Sequence, residues 1–268
     1  MLKQRVLSAL AMAVTLLLVL FALPPLATLL LITLVVLAAA WECAGLWRGE
    51  GLSARVIAVL VIAALLPLVW RVSASPAGLR AILRFATLWW SFALLWLLAA
   101  PQRVPRLAPA VVGLCALLPA WAALIHLRGV VPHGAGWLLL ALAIVFAADT
   151  GAYFAGRGFG RVKLAPLVSP GKTWEGVCGG VLLAVLVAAI GGRFLGIPVT
   201  AMTLSAALGA AGFSVVGDLT ESMLKRHAGV KDSGSLLPGH GGVLDRVDSL
   251  CAGVPVLLLC WLQFGVLP

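Results

Sequence analysis

Long apolar segments, separated by short breaks that contain Pro, Gly or Arg, run along almost the whole chain. Each segment is long enough for one helical crossing of a bilayer, which requires about 20 apolar residues. The pattern therefore predicts an all-α, polytopic integral membrane protein with about nine transmembrane helices. The predicted crossings are residues 6–22, 25–42, 54–70, 80–99, 108–127, 135–155, 175–194, 198–217 and 250–267. Only Pro24 and Pro25 separate the first two, so a tight re-entrant pair is the alternative there.

The composition agrees with a membrane protein and excludes a soluble domain. Of the 268 residues, 63% are hydrophobic and 10% are charged, whereas a soluble domain of this size needs far more charge on its surface. The first segment follows Lys3 and Arg5 and has the form of a secretory signal, but the many later apolar segments favour a first membrane helix. The net charge of +10 does not indicate nucleic-acid binding, since basic residues at helix ends contact anionic headgroups of membrane lipids.

The positions of the basic residues predict the orientation of the chain. With the N-terminus in the cytoplasm, most of the 19 Lys and Arg residues lie on the cytoplasmic side, as the positive-inside rule requires. This orientation places both long polar loops, residues 156–174 and 218–249, on the cytoplasmic face. Seven of the nine acidic residues lie in residues 135–268. We therefore expect residues 1–134 to embed, pack and accommodate lipid chains, and residues 135–268 to form a catalytic membrane region.

Three acidic residues at the ends of the loop 218–249 are candidate metal ligands. Asp218 lies at the end of the eighth predicted crossing, where the partial negative charge of a helix C-terminus favours a cation. Asp245 and Asp248 are three residues apart in the first turns of the ninth helix, so their side chains project to the same side. Magnesium prefers carboxylate oxygens and leaves coordination positions for phosphate and water. The sequence thus indicates a site for a hard divalent cation, with Asp218, Asp245 and Asp248 as its candidate ligands.

The same loop carries groups suited to phosphate. Glycine lets backbone N–H groups approach an anion closely, and Lys and Arg supply charge-assisted hydrogen bonds. The candidate substrate- or phosphate-binding residues of this loop are Ser222, Lys225, Arg226, Lys231, His240, Gly241, Gly242 and Arg246. An ordinary loop with solvated charges is the alternative for several of them; His240 could instead cap a turn, and Arg246 could orient the acids. Carboxylates, basic groups and a glycine-rich connector together favour phosphoryl or nucleotidyl transfer.

The loop 156–174 leads into a second candidate anion site. Ser169, Lys172, Thr173 and Glu175 lie where the seventh helix is predicted to begin. A helix N-terminus with a lysine beside it attracts anions, and Ser169 or Thr173 could cap the helix. These four residues are therefore further candidates for contact with substrate.

Two other features of this region have limited meaning. The motif GKT, residues 171–173, resembles part of a phosphate-binding P-loop, but Pro166 occupies the position of the first glycine and no strand pattern precedes the motif. Asp149 lies inside an apolar segment, where an acid is functional by default. Pairing with Arg157 or Lys172 is the structural alternative for Asp149.

Residues 222–248, SMLKRHAGVKDSGSLLPGHGGVLDRVD, resemble the signature of phosphatidate cytidylyltransferases, the CDP-diacylglycerol synthases. The segment 149–176 is also similar to that family. The positions that fit the signature are Ser222, Lys225–Arg226, Lys231–Asp232, Pro238, His240–Gly242, Asp245–Arg246 and Asp248.

The resemblance implies transfer of CMP from CTP to phosphatidate, which gives CDP-diacylglycerol and pyrophosphate in phospholipid biosynthesis. It also implies magnesium as a cofactor, with a second, monovalent cation left open. A homodimer in a bacterial inner membrane, with the site facing the cytoplasm, is expected on the same basis. The residues that we expect to carry the catalysis are Asp218, Lys225, Arg226, Asp245 and Asp248.

Two other functions are the alternatives. A membrane transporter would place polar residues near the middle of the membrane in both halves of the chain, whereas here they gather at one face in one half. A CTP-dependent polyprenol or phytol kinase would use similar groups but would transfer the γ-phosphoryl group. The products of the reaction distinguish the two enzymes.

Overall fold

The computed structural model describes residues 2–47, 51–129, 133–237 and 239–267. For residues 2–6 and 9 it describes the backbone only. Within these residues the chain forms nine α-helices and one short β-hairpin. The helices are α1 (Leu2–Phe21), α2 (Pro25–Gly45), α3 (Leu52–Ser73), α4 (Pro76–Ala99), α5 (Ala108–Gly129), α6 (Gly134–Phe159), α7 (Trp174–Phe194), α8 (Ala201–Ala228) and α9 (Leu244–Gln263). Each predicted crossing corresponds to one helix, so the helical fold is confirmed.

Most of these helices have the length and the exterior of membrane spans. Seven of the described helices, α2 to α8, are long and apolar enough to cross a membrane. Leu60, Leu88 and Leu182 are examples of large apolar side chains exposed on the outside of the bundle, where only lipid would cover them favourably. The chain is therefore an integral membrane protein. In α1 the apolar stretch is shorter, Leu10–Phe21, and α9 lies mostly inside the bundle.

Two helix ends differ from the predicted boundaries in a way that matters for the site. The crossing predicted to end at residue 217 continues as helix α8 to Ala228, where Gly229 ends it with a φ of 79°, a left-handed conformation that glycine adopts without strain. Helix α9 begins at Leu244. Much of the polar stretch 218–249 is therefore helical. Only residues 229–243, called the connector below, join the two helices.

Helix α9 forms the centre of the bundle. Its residues from Ser249 to Leu259 are all buried, and it packs against α2, α4, α5, α6 and α8. Helix α8 approaches it closely at Gly217, where a β-carbon would lie 3.1 Å from that of Ala252 and would collide with the carbonyl of Asp248. This close approach places the acidic residues of α8 beside those of α9.

Helices α6 and α7 also lie close together, because glycines line their contact. A β-carbon on Gly151 would lie 2.6 Å from the carbonyl oxygen of Gly179, and one on Gly180 would lie 2.5 Å from that of Ala148. Such distances leave no room for a side chain, so substitutions there would force the helices apart. The contact fixes Asp149 of α6 next to the start of α7.

The β-hairpin is a feature that the sequence analysis did not predict. Strand β1 (Lys163–Ala165) pairs antiparallel with β2 (Ser169–Thr173), with Lys163 opposite Thr173 and Ala165 opposite Ser169. The fold is nearly all-α, as predicted, and only the expectation that no strand precedes the GKT motif was wrong. The motif itself lies in β2, so Lys172 projects from a strand and not from a glycine-rich phosphate loop.

Candidate active site at one end of the helix bundle

The two polar regions of the sequence meet at one end of the bundle. Lys172 Nζ of β2 lies 2.5 Å from Asp218 Oδ2 of α8, and Ser222 Oγ donates a hydrogen bond of 3.2 Å to Asp218 Oδ1. Asp218 therefore connects the hairpin to α8. The expectation that the loop 156–174 and the region 218–249 share one face of the protein is confirmed.

A polar cavity of about 450 Å³ opens at this junction. Its volume is within the range of small-molecule sites, about 300–1,000 Å³. It combines the acids of α6 and α8 with the lysine of β2 and the first turn of α7. The lining includes Asp149, Tyr153, Gly156, Arg157, Ser169, Gly171, Lys172, Thr173, Gly176 and Asp218. Of the predicted residues, Ser169, Lys172, Thr173 and Asp218 therefore lie together around one cavity.

Lys225 lies next to this junction but is held by two carboxylates. Its Nζ donates to Glu221 Oε2 at 3.0 Å, one helical turn away, and to Asp245 Oδ1 at 2.5 Å. Only 11% of the Lys225 side chain is exposed. A buried ammonium group is stable when paired in this way, and removal of either partner leaves an uncompensated charge. The contact of Lys225 with phosphate stays a prediction. In the structure, Lys225 links α8 to α9 through Glu221 and Asp245.

Asp245 has hydrogen-bond partners on both of its oxygens. Oδ1 accepts from Lys225, and Oδ2 accepts from the amides of Gly242 at 2.9 Å and Ser233 at 3.0 Å. Burial alone would raise the pKa of this carboxyl, but the hydrogen bonds from Lys225 and the two amides hold the pKa below its ordinary value. Asp245 is thus an ionised anchor for the α8–α9 connector. Its role as a metal ligand stays a prediction.

Four carboxyl groups from three helices surround the first turns of α9. Asp248 of α9 interacts electrostatically with Asp218 and Glu221 of α8 and with Asp149 of α6. Asp149 Oδ1 accepts a hydrogen bond of 3.1 Å from Ser249 Oγ. The Glu221 Oε1 atom is buried and has no hydrogen-bond partner among the described residues. The cluster therefore brings four acidic groups together, of which Asp218 pairs with Lys172 and Glu221 with Lys225.

A cation site in this cluster stays a prediction. Within the described ranges, no group of three or more His, Cys, Asp and Glu side chains is placed to hold a metal ion. Magnesium, however, usually takes one or two carboxylates together with substrate phosphates and water. The Glu221 carboxyl, which interacts with that of Asp248, is a candidate for such a ligand. The sequence analysis did not assign a role to Glu221.

Glu42 of α2 is a further acid at this end of the bundle, and the sequence analysis did not find it. Its carboxyl is 2% exposed, and Oε2 accepts hydrogen bonds from Ser233 Oγ at 2.9 Å and from the amide of Leu244 at 2.8 Å. The signal was present in the sequence, because an acid inside an apolar segment is functional by default. The rule that singled out Asp149 applies equally to Glu42.

Several predicted residues have partners that belong to the protein itself. Thr173 caps α7 by accepting from the amide of Gly176 at 3.2 Å, which confirms the capping prediction for Thr173. Glu175 accepts from the amide of Val162 at 3.2 Å and so holds the entry to β1. Both residues therefore stabilise the hairpin and the helix start that present Lys172 to the cavity.

The remaining predicted residues lie in or near the connector. His240 Nδ1 lies 2.8 Å from Ser8 Oγ of α1, and Arg246 donates to the carbonyl of His240 at 3.0 Å. Arg246 thus links the first turn of α9 to the connector. Contact with phosphate and orientation of the acids, the two roles considered for Arg246, stay predictions. Arg226 and Lys231 are exposed. Gly241 has a φ of 81° and lies against Asp245, so it is a turn residue.

Comparisons with known proteins agree on one family. The family model described as "Cytidylyltransferase family" matches residues 3–264. A phosphatidate cytidylyltransferase of Pseudomonas aeruginosa is 42% identical over 269 residues, which cover 97% of this chain and 97% of that protein. The phosphatidate cytidylyltransferase of Haemophilus influenzae is 39% identical over 95% of this chain and 96% of its own length. That of Brucella suis is 50% identical over 141 residues, about half of each chain.

Proposed function

The chain belongs to the cytidylyltransferase family, and we propose that it transfers CMP from CTP to phosphatidate, giving CDP-diacylglycerol and pyrophosphate. One observation carries the proposal for this chain. The polar cavity that holds Lys172 and Asp218 adjoins a second, apolar cavity, so a nucleotide and a lipid phosphate can meet at their boundary.

The apolar cavity has about 610 Å³ and is lined by α4, the hairpin turn, α7 and α8. Val177 and Val215 line both cavities. A phosphatidate molecule could therefore place its acyl chains among the leucines of α4 and α8 and its headgroup near Lys172. Burial of each methylene group contributes about 0.8 kcal/mol, so binding of the acyl chains in this cavity would be favourable.

The proposed reaction needs little acid–base chemistry. A phosphate oxygen of phosphatidate forms a bond to the α-phosphorus of CTP, and the bond from that phosphorus to the bridging oxygen of the β-phosphate breaks to release pyrophosphate. The attacking oxygen is already anionic, so the main requirement is to bring several negative charges together. Lys172 is placed to bind a phosphate when it exchanges its contact with Asp218, and Arg226 is an exposed donor at the end of α8.

Magnesium is part of this proposal. Asp218 and Asp248 would hold the ion, with Glu221 as an additional oxygen donor, and the bound ion would supply positive charge between the phosphate groups. Asp245, the third predicted ligand, would join them only by exchanging its contacts with Lys225 and the connector amides. The chain's own basic groups would orient the phosphates around the cluster.

The setting of the reaction is also proposed. A bacterial inner membrane with the site facing the cytoplasm is supported by the distribution of Lys and Arg and by the bacterial origin of the relatives. A homodimer is proposed from the family resemblance alone.

The purified protein provides the direct test of the proposed activity. We expect phosphatidate-dependent release of pyrophosphate from CTP, and complete loss of this release when magnesium is removed with EDTA and regained on its return. Release of CDP together with a doubly phosphorylated lipid would indicate a kinase. Solute flux through reconstituted vesicles without any release of pyrophosphate would indicate a transporter.

Filling the apolar cavity is expected to affect the lipid substrate selectively. Gly212 lines this cavity and an added β-carbon there meets nothing within 4 Å, so the Gly212→Leu variant should fold. We expect the KM for long-chain phosphatidate to rise by about tenfold, since two or more methylene contacts would be lost, while the KM for CTP stays unchanged. Gly129→Leu, at an equally open glycine at the end of α5, is the matched control. An equal effect on both substrates, or none, would contradict the assignment of the cavity.

A further inference from the structure

Glu42 contacts a part of the protein that is remote in sequence. Its partners Ser233 and Leu244 lie 191 and 202 residues away, and they mark the connector between α8 and α9 and the first residue of α9. Glu42 therefore links the N-terminal helices to the segment that carries Asp245 and Asp248.

The start of α9 depends on an acceptor from outside the helix. Val243 is the N-cap residue and provides no side-chain cap, although the first amides of a helix need hydrogen-bond acceptors. The Glu42 carboxylate accepts from the Leu244 amide, and its negative charge is favourable at a helix N-terminus. Glu42 thus caps α9 from another helix.

The connector is shaped around this carboxyl. A β-carbon on Gly234 would lie 2.7 Å from Glu42 Cδ, and one on Gly242 would lie 2.8 Å from the Gly234 nitrogen and would overlap Ser233 Oγ and the Glu42 carboxyl. Both glycines are therefore needed for the backbone to approach the acid, which is a structural reason for glycine at these positions.

Asp245 binds the connector from the side opposite Glu42. Its Oδ2 accepts from the amides of Ser233 and Gly242, while Glu42 takes the Ser233 hydroxyl and the Leu244 amide. Ser233 is thus held by its backbone through one acid and by its side chain through the other. Together the two carboxylates fix both ends of the connector against α9.

We propose that Glu42 is a positioning residue for the transferase site: by capping α9 and holding Ser233, it sets the connector in the conformation that receives the triphosphate of CTP. This inference rests on the proposed function. It gives the N-terminal half a specific contribution to nucleotide binding, which the sequence analysis had assigned only to the second half.

Three substitutions of Glu42 separate position from charge. Glu42→Ala removes the acceptor, and Glu42→Asp keeps the charge but withdraws it by one methylene. Glu42→Gln retains an oxygen that can accept from both Ser233 and Leu244. We expect the Ala and Asp variants to lose about tenfold to a hundredfold in kcat/KM for CTP, since small displacements of a site are costly, with the KM for phosphatidate unchanged. We expect Glu42→Gln to restore most of the activity.

Thr33→Val is the matched control on the same helix. Thr33 accepts a hydrogen bond of 2.9 Å from Trp121 Nε1, so this variant also removes one long-range contact of α2 but leaves the connector untouched. A CTP-specific loss in Thr33→Val equal to that in Glu42→Ala would overturn the proposal. The same holds if Glu42→Gln is as defective as Glu42→Ala, or if Glu42→Asp is indistinguishable from the wild type. The Asp variant keeps the test decisive if Glu42→Ala does not fold.

Limited trypsin digestion of the full-length protein tests the same contact without any activity measurement. Lys231 is exposed in the connector, and cleavage after it reports how firmly the connector is held. We expect faster cleavage in Glu42→Ala and Glu42→Asp than in wild type, Glu42→Gln or Thr33→Val. Wild-type cleavage rates in Glu42→Ala would overturn the proposal, whereas absence of cytidylyl transfer in the wild type would overturn only the proposed function.

Discussion

The Asp248→Asn variant is expected to lose about a thousandfold or more in kcat while it keeps its helical fold, since electrostatic groups at a reacting centre contribute on this scale. Asp248 lies among Asp149, Asp218 and Glu221, and in the proposed site its carboxyl would be a ligand of the cation. Asparagine has nearly the same shape, so packing around α9 should be retained. Steady-state kinetics with CTP and phosphatidate, beside a thermal unfolding curve, measure the two effects separately.

Ser235→Ala is the control for this prediction. Ser235 also lies in the region 218–249, but it is exposed in the connector and is not a signature position, so its loss should change kcat by less than about threefold, as expected of an exposed surface residue. Excess magnesium should rescue Asp248→Asn only in part, because one ligand is missing. Wild-type turnover in Asp248→Asn would show that the acidic cluster does not contribute to catalysis.

The Lys225→Met variant is expected to destabilise the protein by about 3–5 kcal/mol, the usual cost of leaving buried charges unpaired. Methionine fills a similar volume but leaves Glu221 and Asp245 without their common partner. The contact between α8 and the start of α9 should weaken, and activity should fall with it. A lower midpoint of thermal unfolding in detergent, followed by tryptophan fluorescence, is the measurement.

The adjacent residue provides the contrast. Arg226 is exposed at the end of α8, so Arg226→Gln should change the free energy of unfolding by no more than about 0.5 kcal/mol. Its predicted contact with phosphate should instead appear as a higher KM for CTP. If Lys225→Met unfolds at the wild-type temperature, the buried ion pairs do not stabilise the site. If Arg226→Gln leaves the KM for CTP unchanged, Arg226 is not a phosphate ligand.

The positions of the helices could be predicted because apolar length and breaks at Pro and Gly determine them locally. The end of α8 was placed too early, since hydropathy falls at residue 218 although the helix continues to Gly229. The glycine was the better signal for the helix end. The hairpin 163–173 was missed because its strands are short, of three and five residues, and carry no alternating pattern.

The residues of the site could be predicted more readily than their partners. Asp218, Lys172, Ser169 and Thr173 do gather around one cavity. That Lys225 would be held between Glu221 and Asp245 could not be known, because it depends on how α8 packs against α9. The contact of Glu42 with Leu244 spans 202 residues, and such a contact leaves no pattern in a single sequence.

The reaction proposed for this end of the bundle is transfer of a cytidylyl group to a lipid phosphate. The most direct measurement supplies the purified protein with phosphatidate, magnesium and CTP labelled at either the α- or the γ-phosphate, and follows the label in the extracted lipid. We expect label from the α-phosphate to enter the lipid and label from the γ-phosphate to leave in pyrophosphate. Label that enters the lipid only from the γ-phosphate would contradict it.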